Sequence, residues 1–151
     1  MGGSAESFYN EGIRLSFEQW GVSGYDAYVA DETSQPADYK DPNNKGSINA
    51  QSTITIKWQE ADSEELKLER IMTQKWIALW PLGQEAWSEH RRTGYPKFFP
   101  LGSTTTPSIE VASRLPYSIN ESKNNTENLK DAIRLLGGED NYETRVWWDV
   151  K

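Results

Sequence analysis

Apolar residues recur at helical spacing in separate stretches of this chain and lose all periodicity between them, which confines it to helices joined by long irregular connections. The clearest stripe is Tyr9, Ile13, Phe17 and Trp20, whose separations of four, four and three draw one apolar line along a helix. Ser4 can accept from the free N–H groups of the first turn, Glu6 lies in that turn, and Gly21 suits the left-handed residue that closes a helix. The pattern predicts a helix from Ala5 to Trp20.

A second long helix is expected from Ser63 to about Trp80, opened by a capping box of Asp62 with Glu65. Leu68, Ile71, Met72, Ala78 and Leu79 supply its inward face, with the Lys75 stem lying along it. Pro81 and Gly83 break the chain, and QEAWSEHRR forms a further short helix that ends near Thr93 and Gly94, Pro96 preventing continuation. Asn125 or Thr126 caps a last helix to Leu136, with the stripe Leu129, Ala132, Ile133 and Leu136, closed by Gly137 and Gly138.

Between these elements the composition changes. Residues 21–52 are rich in Gly, Pro, Asp, Asn and Ser, which favour turns, and they read as a long loop with a short helix around Tyr25 to Ala30. Thr53 to Trp58 alternates β-branched residues and reads as an extended segment or short strand. From Lys97 to Asn125 the chain reads as irregular, with Pro100, Pro107, Pro116 and the run STTTP. The fold class is therefore mainly α, irregular and loop-rich, and 151 residues suffice for one domain.

Several chemistries are excluded or disfavoured. The formal net charge of −7 gives no field that would attract nucleic acid or an anionic membrane surface. With no cysteine and one histidine, disulfides, thiol catalysis and the common His/Cys metal sites have no ligands, and no cofactor or metal is expected. No stretch is apolar enough to span a bilayer, and the first residues have neither the basic nor the apolar region of a signal peptide. Asp41 to Gly46 echoes a calcium loop, but Lys45 at its fifth position and Ser52 at its twelfth favour a polar turn. The sequons at Asn120 and Asn124 matter only in a eukaryotic secretory setting.

The segment WSEHRRTGYPKFFP concentrates reactive side chains. Glu85 and Glu89 lie one helical turn apart, an arrangement that suits a solvated face better than the two sides of a glycosidase cleft. His90 has no nucleophile to serve, and it fits the helix C-terminus as a surface or capping residue. Arg91 and Arg92 are expected to cap the last carbonyls or pair with Glu85 and Glu89, and Trp87 and Tyr95 to pack a structural corner against the preceding helix.

The aromatics are unusually many, with seven Trp and seven Tyr, and flat rings ringed by polar groups suit the apolar faces of sugars. Trp20, Trp76, Trp80 and Trp87 sit at helical positions and are expected in the core. Tyr25, Tyr28 and Tyr39 lie in the long loop, are freer to face solvent, and are the candidate ligand-binding residues.

Taken in order, FYNEGIRLSFEQWG, LERIMTQKWIALWPLGQEAWSEHRRTGYPKFFP, RLPYSINESKNN and AIRLLGGEDNYETRVWWD resemble the C-terminal part of the SusD/RagB family of nutrient-binding outer-membrane lipoproteins of Bacteroidetes. The resemblance implies a mostly helical, tetratricopeptide-type fold. It also implies a cell-surface protein without catalytic activity that captures oligosaccharides or other small nutrients for a SusC-like TonB-dependent transporter. The membrane would be reached only through a lipid anchor on a full-length protein. Family proteins run to several hundred residues, so the chain is expected to be a C-terminal portion, without the N-terminal tetratricopeptide helices and lipoprotein signal. The alternative role is scaffold and transporter-facing surface, with the ligand site elsewhere. Family binding residues lie in variable loops, and none is assigned from the resemblance.

Overall fold

The computed structural model describes residues 2–43, 45–100 and 111–149. It contains six helices among them: α1 (Ala5–Trp20), α2 (Tyr25–Val29), α3 (Glu64–Ala78), α4 (Gly83–Thr93), α5 (Ile119–Asn124) and α6 (Thr126–Leu136). Two compact units are present, Met1–Phe99 and Pro100–Lys151. The STTTP run and Pro107 lie outside the described residues.

In the first unit α1 packs on α2 and α3, and α3 on α4. α1 begins where Ser4 accepts from the Ser7 N–H at 3.1 Å. It ends on Gly21 at φ 63°, where the Val22 N–H reaches the Phe17 carbonyl at 2.9 Å. Both ends are as the sequence predicts. The core is Tyr9, Ile13 and Trp58, with Phe17, Tyr25, Tyr28, Val29 and Ile71 packed around it.

Several expectations are corrected here. α3 is capped by Ser63, whose hydroxyl accepts from Leu66, because Asp62 is drawn away to the Arg70 guanidinium at 2.7 Å. The helix stops at Ala78. Its buried residues are Glu69, Arg70 and Met72, while Lys75 turns outward to Glu89 at 2.7 Å. Residues 53–58 form no strand. Their carbonyls are met by side chains: Tyr9 donates to Ile56 and Arg70 to Thr55, while the Lys57 N–H donates to Asp31. Trp20, Trp76 and Trp80 are exposed, Trp80 to 74%, and Trp58 is the buried tryptophan.

In the second unit α5 packs on α6, and Leu129, Ala132, Ile133 and Leu136 form the half-buried stripe expected of α6. Gly137, at φ 79°, closes it. α5 breaks a stretch read as irregular. Its signal is Ser118, whose hydroxyl accepts from the Asn120 N–H, with an acidic residue in the first turn at Glu121. A buried Arg114 joins the segments of this unit by donating to Asp140 at 2.6 Å and to the Asn141 carbonyl at 3.2 Å.

Candidate functional site

The long loop after α2 is irregular in outline but closely tied. Asp31 accepts from the N–H groups of Thr33 and Ser34, both at 2.9 Å. Hydrogen bonds from Ser34 and then Thr33 hold its carboxyl well below the usual carboxylate range. Further on, Asp38 accepts from the Ala50 N–H at 2.8 Å, and Tyr39 and Ile48 exchange backbone hydrogen bonds of 2.9 and 3.0 Å. Within the turn they close, Asp41 accepts from the N–H groups of Asn43 at 3.0 Å and Lys45 at 2.6 Å. Those bonds lower its pKa and spend its oxygens on backbone.

This closure fixes the backbone of Tyr39 while leaving the residue 46% exposed. The ring stands 6.2 Å from that of Phe99 at an interplanar angle of 57°, and Phe99 is itself 38% exposed. The two make a partly exposed aromatic pair whose Tyr39 backbone is tied in place. Such a surface can stack on an apolar ligand face while its rim makes hydrogen bonds.

Tyr25 and Tyr28 are placed differently from expectation. Both are half-buried, with rings 6.0 and 5.2 Å from that of Phe17. The Tyr25 hydroxyl donates to the Asn10 carbonyl at 3.2 Å, and that of Tyr28 to Gln74 at 3.0 Å. The reason is the five-residue α2, which turns these two rings toward the α1 core rather than toward water. They share a cluster with each other, whereas Tyr39 pairs with Phe99.

The corner between α3 and α4 assembles most of WSEHRRTGYPKFFP. Gly94 ends α4 at φ 76°, its N–H reaching the His90 carbonyl at 2.7 Å. The Arg91 guanidinium lies 3.9 Å from the Trp87 ring centroid, and Arg92 pairs with Glu89 at 2.5 Å. Glu85 is exposed and Glu89 is held by Lys75 and Arg92, so the two acids do not act as a pair. Burial alone would raise the Glu89 pKa, but the hydrogen bonds from Lys75 and Arg92 outweigh it and keep the group ionised. The His90 ring sits half-buried, 4.6 Å from that of Phe98. Buried Tyr95 donates to Glu65 at 2.8 Å, and burial followed by that hydrogen bond pushes its pKa up to about 12. Arg91 thus stacks on Trp87 of its own helix, while Arg92 pairs with Glu89 and Tyr95 reaches Glu65 on α3.

Sequence reasoning missed Phe99, whose only local signal is its place among the aromatics between Pro96 and Pro100. It also missed Glu69, 2% exposed, which pairs with Lys97 at 3.2 Å, and a glutamate in mid-helix gives no local sign of burial. Among the described residues no group of three or more His, Cys, Asp or Glu could hold a metal, and no helix is long and apolar enough to cross a membrane.

No curated protein matches the chain. Solved structures do. A SusD homologue from Bacteroides uniformis is 52% identical with a TM-score of 0.88, the match covering 99% of this chain and 32% of that one. A chitin-binding SusD homologue from Flavobacterium johnsoniae is 44% identical with a TM-score of 0.87, over 99% of this chain and 32% of that one. A third, a SusD homologue from Bacteroides thetaiotaomicron, is 42% identical with a TM-score of 0.87, over 100% of this chain and 34% of that one. The chain therefore spans about a third of the length of each. The SusD-like family model, described as Susd and RagB outer membrane lipoprotein, matches residues 1–149, and the chain belongs to that family.

Proposed function

We propose that this chain contributes a non-catalytic glycan-binding surface to nutrient capture at the outer face of the outer membrane, with Tyr39 and Phe99 as its stacking platform. The observation that carries the reading is Tyr39, a residue left 46% exposed although both its N–H and its carbonyl are tied to Ile48. An aromatic fixed in place before binding loses little freedom when a sugar stacks on it. The chitin-binding character of the Flavobacterium johnsoniae homologue makes oligosaccharides of N-acetylglucosamine the first ligand to try. The net charge of −7 favours a neutral glycan over a polyanionic one.

Captured ligand would pass to a SusC-like TonB-dependent transporter, and a lipid anchor on the full-length protein would hold it at the cell surface. Tyr25 and Tyr28 would hold α2, from which the loop departs, against α1 and α3. Isothermal titration tests the reading with chitin oligosaccharides and a panel of neutral and anionic glycans. Saturable heat with a neutral oligosaccharide is expected, and heat with none of the panel counts against it.

A further inference from the structure

Tyr39 and Phe99 reach their contact from two separately anchored segments. Tyr39 is bonded through both its N–H and its carbonyl to Ile48. The segment leading to Phe99 is held residue by residue. Tyr95 donates to Glu65 at 2.8 Å, Lys97 pairs with buried Glu69 at 3.2 Å, and the Phe98 ring packs 4.6 Å from His90 and 5.5 Å from Trp76. Phe98 is thereby committed to the α3–α4 corner, while Phe99 turns to Tyr39. The angle between the two rings, 57° at a centroid separation of 6.2 Å, is set by the fold before any ligand arrives.

That angle limits what the pair can hold. Two rings that stack on neighbouring units of an extended, ribbon-like glycan must lie near one plane, because the pyranose faces of such a chain do. Rings tilted by 57° cannot both lie flat under it. One ring can take the face of a sugar, and the other then meets that sugar's edge. The two rings differ in what they offer an edge. Tyr39 carries a hydroxyl, whereas Phe99 presents only carbon. A sugar hydroxyl turned against Phe99 gives up water and gains no hydrogen bond, but a methyl group there is favoured by its burial.

We infer that the Tyr39–Phe99 pair reads a single sugar unit bearing an acetamido group, with Tyr39 under the pyranose face and Phe99 as an apolar wall against the acetamido methyl. The inference rests on the glycan-binding reading above and adds to it the residue that selects the substituent. Chitotriose and cellotriose test it, because they share linkage and length and differ in carrying acetamido or hydroxyl at the same carbon. Titration calorimetry should give the chain a preference of roughly fourfold or more for chitotriose, the worth of burying one methyl group. Phe99→Ala should bring that ratio below about twofold, and Phe99→Leu, which keeps a carbon wall without a ring, should retain it. Tyr39→Ala should weaken both sugars alike. Affinity should stay within about threefold from chitobiose to chitotetraose, where a second stacking ring would add roughly tenfold. Equal affinity for the two trisaccharides, a ratio unchanged in Phe99→Ala, or an affinity that climbs with length each overturns the inference and leaves the glycan platform standing. Binding of no glycan overturns both. Should Phe99→Ala fail to fold, the wild-type ratio and the length series still decide.

Discussion

Arg70 is 4% exposed and meets oxygen on two sides: the carbonyl and hydroxyl of Thr55, and the carboxylate of Asp62 at 2.7 Å. It thereby fastens an extended segment with no ladder of its own to the middle of α3. Arg70→Met keeps much of the volume but leaves Asp62 and the Thr55 carbonyl without their donor. Loss of one partner from a buried pair typically costs 3–5 kcal/mol; with Asp62 partly solvated, a loss of about 3 kcal/mol is expected in urea unfolding. Arg70→Lys should recover only part of it, because a single ammonium nitrogen lacks the planar spread by which the guanidinium reaches Thr55 through one nitrogen and Asp62 through another. Tyr95 carries a smaller effect with a pH signature. Tyr95→Phe removes the hydrogen bond to Glu65 and should cost about 1 kcal/mol. The raised pKa gives the sign. The folded state favours the neutral phenol, so its contribution is complete below the ordinary tyrosine value near 10 and is lost as pH rises toward about 12. Alkaline titration of stability should be shallower in Tyr95→Phe, and an unchanged slope would separate the residue from that loss.

The elements divide by how local their causes are. α1 was legible at both ends because a Ser4 cap, an apolar stripe and Gly21 act within a few residues of one another. Gly21 sits at φ 63°, so Gly21→Ala is expected to cost about 1 kcal/mol and to fray the last turn, which the exchange rates of the Trp20 and Val22 amides would report. α4 and α6 were legible in the same way, each closed by a glycine in the left-handed region. The start of α3 was misread because Asp62 and Ser63 are both good caps, and the choice is made by Arg70, eight residues away and buried. Residues 53–58 have the alternation of a strand, but a strand needs a partner, and side chains of Tyr9 and Arg70 took that place. The candidate site follows the same division. The Asp41 turn could be read from its own residues, and Tyr39 could be singled out as a loop aromatic. That Tyr25 and Tyr28 would be drawn onto Phe17 depends on where α2 lands, and Phe99, which pairs with Tyr39, is 60 residues away in sequence.

At the scale of the whole molecule, the proposed function gives the loop tyrosines two different purposes, which experiment can tell apart. Tyr28 is bonded to Gln74 on α3 and packed on Phe17, so its hydroxyl works for the fold. Tyr39 holds its backbone in place through Ile48 whatever its side chain is, so its ring can be removed at little cost to the fold. Tyr39→Ala should leave the thermal midpoint nearly unchanged and weaken glycan binding about tenfold or more, the equivalent of ~1.4 kcal/mol of stacking. Tyr28→Phe should cost about 1 kcal/mol of stability and leave glycan affinity within about twofold. Both are read on one protein, by calorimetric unfolding and by titration with the best oligosaccharide of the panel. Because a neutral glycan binds by stacking and hydrogen bonds, the wild-type affinity should also hold between low and moderate salt. If Tyr28→Phe abolishes binding while Tyr39→Ala spares it, the platform is misplaced and the glycan lies over α2. If neither changes the affinity, the ligand surface belongs to another part of a family-length protein, and the 151 residues supply scaffold and transporter-facing surface instead.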